Sequence, residues 1–252
     1  MDEIWREQLA GKDMTLDDVE RSIRYAKDLT HGLKMIRKYP PGVTVFGSAR
    51  LARDTKYYKM AYDLGKKMAE NEHPIITGGG PGIMEAANRG AFENGGKSIG
   101  LNIHLETEQD LNLYTTDSME FHYFFARKVM LTCSSKVYVF FPGGFGTIDE
   151  FAEILELVHT GKVPRSPLFL VGSDFWKGLD DWFSGSMSRL HLIETGTPGE
   201  LSEISAADAG IVKKARDLYT ITDDIDEIVA ITNQLEPKTT DDIISGSVEQ
   251  ML

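Results

Sequence analysis

The residues best suited to chemistry lie in one run, Phe140-Phe141-Pro142-Gly143-Gly144-Phe145-Gly146-Thr147-Ile148-Asp149-Glu150. It reads as a buried strand that breaks into a glycine turn and opens a helix. Amides left unpaired at a helix start point outward, the helix dipole favours negative charge there, and glycine lets an anion approach the backbone closely. The chemistry expected of such a junction is binding of a phosphate-bearing ligand. Three glycines in four residues exceed what a plain turn needs, and Thr147 is placed to cap the helix.

On a wheel of about 3.6 residues per turn, Phe151, Ile154, Leu155 and Val158 share one stripe of that helix. Asp149, Glu153 and Glu156 then point the other way, as solvated carboxylates do. Glu150 falls on the flank of the stripe, beside the glycine turn, where it is either a dipole-favoured first-turn acid or a catalytic carboxylate. Upstream, Tyr123-Phe124-Phe125-Ala126-Arg127-Lys128-Val129-Met130-Leu131 is apolar nearly all round as a helix, yet carries two adjacent cations. Neighbouring positions diverge by about 100°, so at least one of the two points inward. An inward cation needs an anionic partner, and either Glu150 or a ligand phosphate could serve.

The elements that position these groups follow a βα alternation. Strand-like segments run over Val43 to Phe46, Pro74 to Thr77, Ser98 to Ile103, Met119 to Phe121, Val137 to Phe141, Leu168 to Val171 and Leu218 to Thr222, with helical patterns between most of them. This is the pattern of an α/β, Rossmann-like, doubly wound and mainly parallel sheet, whose ligands bind beyond the carboxyl ends of the strands. Three glycine turns fall at such ends. Gly47-Ser48-Ala49-Arg50 follows the first strand and offers a hydroxyl and a cation to a phosphate. Gly78-Gly79-Gly80-Pro81-Gly82 follows the second, and Pro142 to Gly146 the fifth. After the second turn, Ile83, Ala87, Gly90 and Ala91 form a small-residue stripe for close packing on the sheet. Glu85 lies opposite, facing either solvent or a ligand.

Residues 1–40 read as an N-terminal helical extension. A Thr15 to Asp18 capping pattern precedes apolar positions Val19, Ile23, Ala26, Leu33 and Ile36. Residues 41–236 make the α/β domain, and 237–252 a polar, loosely ordered tail. The stretch from Thr195 to Gly210 reads as a loop, either a lid or a plain connection.

Composition narrows the partners. With 252 residues, 41% hydrophobic and 26% charged, the chain can bury a large core, and a net charge of -12 disfavours nucleic acid and anionic membranes. The lone Cys133 excludes an internal disulfide and fits a cytoplasmic setting. His31, His73, His104, His122, His159 and His191 lack metal-ligand spacing, so no catalytic metal is expected. Gly96-Lys97-Ser98 is not a P-loop, because Ala91 stands at the first glycine position and a strand follows. No G-x-G-x-x-G opens the helix after the first strand, which argues against a nicotinamide-dependent dehydrogenase.

The chain resembles the LOG family, Rossmann-like nucleotide 5′-monophosphate phosphoribohydrolases named for the cytokinin-activating enzyme Lonely Guy. Pro142 to Glu150 follows the family signature P-G-G-x-G-T-x-x-E, and Arg127-Lys128-Val129-Met130 resembles its R-K-x-M element. The resemblance covers about Val43 to Val229. It implies Arg127 and Glu150 as the catalytic pair, with Gly143, Gly144, Gly146 and Thr147 on the 5′-phosphate. Gly47, Ser48, Arg50, Gly79, Gly80, Glu85 and Lys128 join them as candidate substrate contacts. Gly82-Ile83-Met84-Glu85 departs from the G-L-M-G of plant members, so AMP is as fitting a substrate as a cytokinin nucleotide. The implied reaction is hydrolysis of an N-glycosidic bond to free base and ribose 5-phosphate, without a cofactor, in a homodimer or larger homo-oligomer. The rival expectation is a carrier or sensor of a nucleotide or pterin-type cofactor in the same crevice.

Overall fold

The computed structural model describes residues 15–104, 111–190, 193, 218–236, 239–241 and 243–244. A capped helix α1 (Leu16–Ile36) leads into the alternating body. Its elements are β1 (Gly42–Phe46), α2 (Lys56–Glu70), β2 (Ile75–Thr77), α3 (Ile83–Glu93), β3 (Ser98–Ile103), β4 (Asp117–Phe121), α4 (Phe124–Cys133), β5 (Ser135–Phe140), α5 (Phe145–His159), β6 (Leu168–Val171), α6 (Ser173–Trp182), β7 (Thr220–Thr222) and α7 (Ile225–Gln234). All seven expected strands are present. The expected loop from Thr195 to Gly210 lies outside the described residues.

The strands form one sheet in the order β4-β3-β2-β1-β5-β6-β7, and every pairing is parallel. The chain builds outward from β1 to β4, then returns to lay β5 on the other side of β1. That reversal opens a crevice beyond the carboxyl ends of β1 and β5, the place where such sheets hold ligands. Both faces of the sheet are covered, so its central strands are apolar at nearly every position. Phe46, Tyr138 and Phe140 face the side carrying α1, α4, α5 and α6, while Val43, Val45, Val137, Val139 and Phe141 face α2, α3 and α7. Trp176 of α6 is fully buried, and its indole N–H donates to the carbonyls of Phe140 (3.2 Å) and Val171 (3.1 Å) where β5 and β6 end.

Three expectations are corrected. The small-residue stripe of α3 serves a helix as well as the sheet. A methyl at Gly65 of α2 would lie 2.1 Å from the Ala87 carbonyl oxygen and one at Gly90 2.0 Å from that of Tyr62, so the two backbones touch. The apolar stripe of α1 is buried only in its second half, from Asp28 through Gly32, Met35 and Ile36. Ile23 and Ala26 are exposed, while the contacts of α1 with α4 and the turn before it run through Tyr25 on Tyr123 and Phe125 and through Gly32 on Met130. Finally, the described part of 237–252 is docked. Thr240 and Ile243 are buried, the Thr240 hydroxyl donates to the Tyr39 carbonyl at 2.9 Å, and Arg37 pairs with Asp241 at 2.8 Å.

Candidate active site

The crevice at the β1/β5 reversal is a cleft of about 640 Å³, large enough for a mononucleotide. It is lined by the turn after β1, by Gly78 after β2, by Ile103 at the end of β3, and by Phe124, Arg127 and the segment from Gly143 to Glu150. Backbone bonds tie the turns together. The Ser48 amide donates to the Pro142 carbonyl and the Ile83 amide to the Ser48 carbonyl, each at 3.0 Å. Gly82 completes that junction with φ +67, and a side chain there would collide with the Ser48 carbonyl at 2.3 Å.

At the floor lies the pair expected to do the chemistry. Arg127 sits on α4 with a side chain 10% exposed, and Glu150 in the first turns of α5 with one 16% exposed; Nη1 and Oε1 are 3.3 Å apart. Arg127 Nε also donates to the Leu101 carbonyl at 2.7 Å, which fixes the guanidinium plane. The sequence left open whether Arg127 or Lys128 turns inward and which anion meets it. The structure selects Arg127 and Glu150, because Lys128 reaches along the outside of α5 to Asp149 (3.0 Å) and Glu153 (2.9 Å). Gly78 makes room for this arrangement: a Cβ there would lie 2.1 Å from Arg127 Nη2. Burial works against both charges. It pushes the Glu150 carboxyl up to about 7, against the opposing pull of Arg127 and Lys128, and it lowers the Arg127 value while Glu150 supports the charged form.

The anion end is the start of α5. The first helical bond runs from the Ile148 amide to the Gly144 carbonyl at 3.1 Å, so the amides of Phe145, Gly146 and Thr147 come before it. Gly144 and Gly146 have open space where a side chain would stand, which leaves these amides accessible to a phosphate. Gly143 is tighter, with a methyl there only 2.1 Å from the Thr147 hydroxyl. Thr147 is buried against that turn and does not cap the helix; Gly144 is the N-cap and makes no side-chain bond. Arg50 lines the cleft on the opposite wall, and among the described residues its guanidinium makes no hydrogen bond or ion pair. The Ser48 hydroxyl accepts from the Arg50 amide at 3.1 Å.

Gly47, Ser48, Arg50, Gly143, Gly144, Gly146 and Thr147 thus meet in one cleft with Arg127 and Glu150, and four expected contacts stand outside it. The Gly79 and Gly80 carbonyls are taken by the Asn112 amide group at 3.0 and 3.1 Å, and Gly79 backs onto Gly100. Glu85 is held by Arg53 at 2.6 Å and by the Tyr58 hydroxyl at 2.9 Å. Lys128 is the fourth, spent on the two acids already named. Sequence reasoning missed Gly78, Met84, Ile103, Phe124, Phe145 and Ile148 as lining residues. An apolar side chain between the glycines of a phosphate turn was the available signal for Phe145. Cys133 is buried, and burial pushes its thiol up to about 12, which removes it as a nucleophile near neutral pH.

The chain is similar to several known proteins. The chain is 27% identical over 146 residues to the cytokinin riboside 5′-monophosphate phosphoribohydrolase of Rhodococcoides fascians, covering 57% of this chain and 74% of that protein. It is 35% identical over 104 residues to an uncharacterized protein of Archaeoglobus fulgidus, covering 41% and 67%. Among solved structures, the molybdenum cofactor carrier protein of Chlamydomonas reinhardtii shares the fold, with a TM-score of 0.51 at 23% identity over 78% of this chain and 98% of that one. The family model described as possible lysine decarboxylase matches residues 84–214, more than half of the 252. By that match, and with the glycine turn and the Arg127–Glu150 pair inside the matched segment, the chain belongs to this family, the LOG family.

Proposed function

We propose that the protein is a nucleoside 5′-monophosphate phosphoribohydrolase that hydrolyses the N-glycosidic bond of AMP or a related nucleotide. The observation that carries this reading is the juxtaposition of a buried carboxylate, Glu150, with the open amides of the α5 start in a single cleft. The 5′-phosphate rests on the amides of Phe145 to Thr147 with Arg50 across from it. That anchor directs C1′ of the sugar toward Glu150. As the bond between C1′ and the base nitrogen breaks, its electron pair leaves with the base and positive charge builds on the ribose ring. Ionised Glu150 stabilises that charge and accepts a proton from the water whose oxygen bonds to C1′; the proton then returns through solvent to the departing base. Arg127 holds the carboxylate in place through its bond to the Leu101 carbonyl. Phosphate binding far from the broken bond serves the transition state by orientation. Among the described residues no lysine lines the cleft, so the lining does not support a decarboxylase.

The test is direct. AMP incubated with purified protein should yield free adenine and ribose 5-phosphate by chromatography, with yield lost in Glu150→Gln. Tight AMP binding with no product would sink the hydrolase reading and favour a carrier. The reading includes a homo-oligomer of two or more copies, which light scattering of the purified chain decides.

A further inference from the structure

We propose that Phe145 and Phe124 form the base subsite of this cleft, holding the base of a nucleoside monophosphate by its aromatic face and leaving its edge unread. The proposal rests on the hydrolase reading for the orientation of the nucleotide, and it adds which substrates the site accepts.

Phe145 is 96% exposed and Phe124 57% exposed, and both line the cleft. Neither contributes to the core. The neighbouring Phe125 stacks edge-on with Tyr25 at 5.1 Å and lies 6.0 Å from Tyr123, whereas no aromatic partner is found for Phe124 or Phe145 among the described residues. An unshielded aromatic flanked by Gly144 and Gly146 lines the cleft next to the amides that open α5. A flat ring presented there matches a flat base, and stacking accepts every base because each has a π-face.

The rest of the lining explains why the edge goes unread. Among the described residues, its ionisable and hydroxyl side chains are Ser48, Arg50, Arg127, Thr147 and Glu150. Arg127 and Glu150 hold each other, Thr147 is packed on Gly143, Ser48 bonds its own turn, and Arg50 is assigned to the phosphate by the proposed function. The remaining described side chains are apolar, Met84, Ile103 and Ile148 lining the same cleft as the two rings. Sites that hydrogen-bond a substrate edge reject analogues by about 10⁴-fold or more, while apolar pockets separate them by only about 10- to 200-fold. AMP, IMP and GMP should therefore bind within about 200-fold of one another, far short of 10⁴-fold.

Equilibrium binding of AMP and of ribose 5-phosphate, the probe without a base, separates this subsite from the anion site. Measured in the Glu150→Gln background so that nothing is consumed, Phe145→Ala should weaken AMP about tenfold, the scale of one base–aromatic stack. Ribose 5-phosphate should stay within twofold, and Phe145→Trp should retain AMP. The proposal is overturned if both probes weaken equally, if neither changes, or if Phe145→Ala alters the oligomeric state by light scattering while AMP affinity holds. If wild-type protein binds AMP in this pattern yet releases no adenine, the hydrolase reading fails and the base subsite stands.

Discussion

Gly78→Ala is the most economical test of the catalytic pair, because it changes one hydrogen into a methyl and touches neither Arg127 nor Glu150 covalently. Gly78 is not among the residues with positive φ, so alanine brings no backbone strain. Its new Cβ would lie 2.1 Å from Arg127 Nη2 and 2.8 Å from Met84 Sδ, both inside ordinary contact. The guanidinium is the far end of a flexible side chain and must retreat on the order of 1 Å, and a misplacement of that size can cost about 10²-fold in rate. Retreat lengthens the 3.3 Å contact with Glu150 and strains the 2.7 Å bond to the Leu101 carbonyl. Losing that cation raises the Glu150 carboxyl further. Adenine release from AMP should thus show kcat reduced by about 10²-fold with KM changed far less, since the amides of α5 are untouched. The acid limb of kcat/KM should also move to higher pH. A folded Gly78→Ala protein with kcat within threefold of wild type would refute the claim that Arg127 must hold Glu150.

Glu150→Gln should lower kcat by on the order of 10² or more, the loss seen when one preorganised electrostatic group is removed. Because burial lifts the Glu150 carboxyl to about 7 and its ionised form does the work, kcat/KM should fall as pH drops through about 7, and a limb near 4.5 would contradict the burial argument. Gly146→Ala should raise stability toward denaturant by about 0.5–1 kcal/mol, as expected for glycine replaced within a helix, while raising KM for AMP as the methyl shields the anion-binding amides. Asn88→Ala removes the buried group that accepts from Thr77 (2.5 Å) and Asn112 (3.0 Å) and donates to Ser98 (2.8 Å), so urea unfolding should show a loss of about 2–3 kcal/mol.

The α/β fold was legible because its signals are local. Seven β-rich runs separated by helical patterns, with glycine turns after β1, β2 and β5, require a parallel sheet with ligands at the carboxyl edge, and that is the fold observed. The roles of α3 and α1 were less legible. The small stripe on α3 announces a close approach, but whether to a strand or a helix depends on where Gly65 of α2 lies, and no periodicity records that. The turn after β2 misled for a related reason. Gly79 and Gly80 look like an anion loop, yet the Gly79 amide is spent on the Thr77 hydroxyl and Asn112, more than thirty residues away, ties down both carbonyls.

At the site, the sequence by itself determined the turn chemistry at Gly143 to Gly146 and the odd placement of Glu150, since both follow from helix geometry within one short run. It also required that Arg127 or Lys128 point inward. Only the tertiary structure decided that Arg127 does so, that its partner is Glu150, and that Glu85 and Lys128 are spent on neighbours outside the cleft. It likewise brought Phe124, Met84 and Phe145 around one opening from three separate elements. The physical reason is range: backbone propensity and helix dipoles act over a few residues, whereas burial, ion pairing and the shape of a cavity depend on segments that meet only after the sheet has closed.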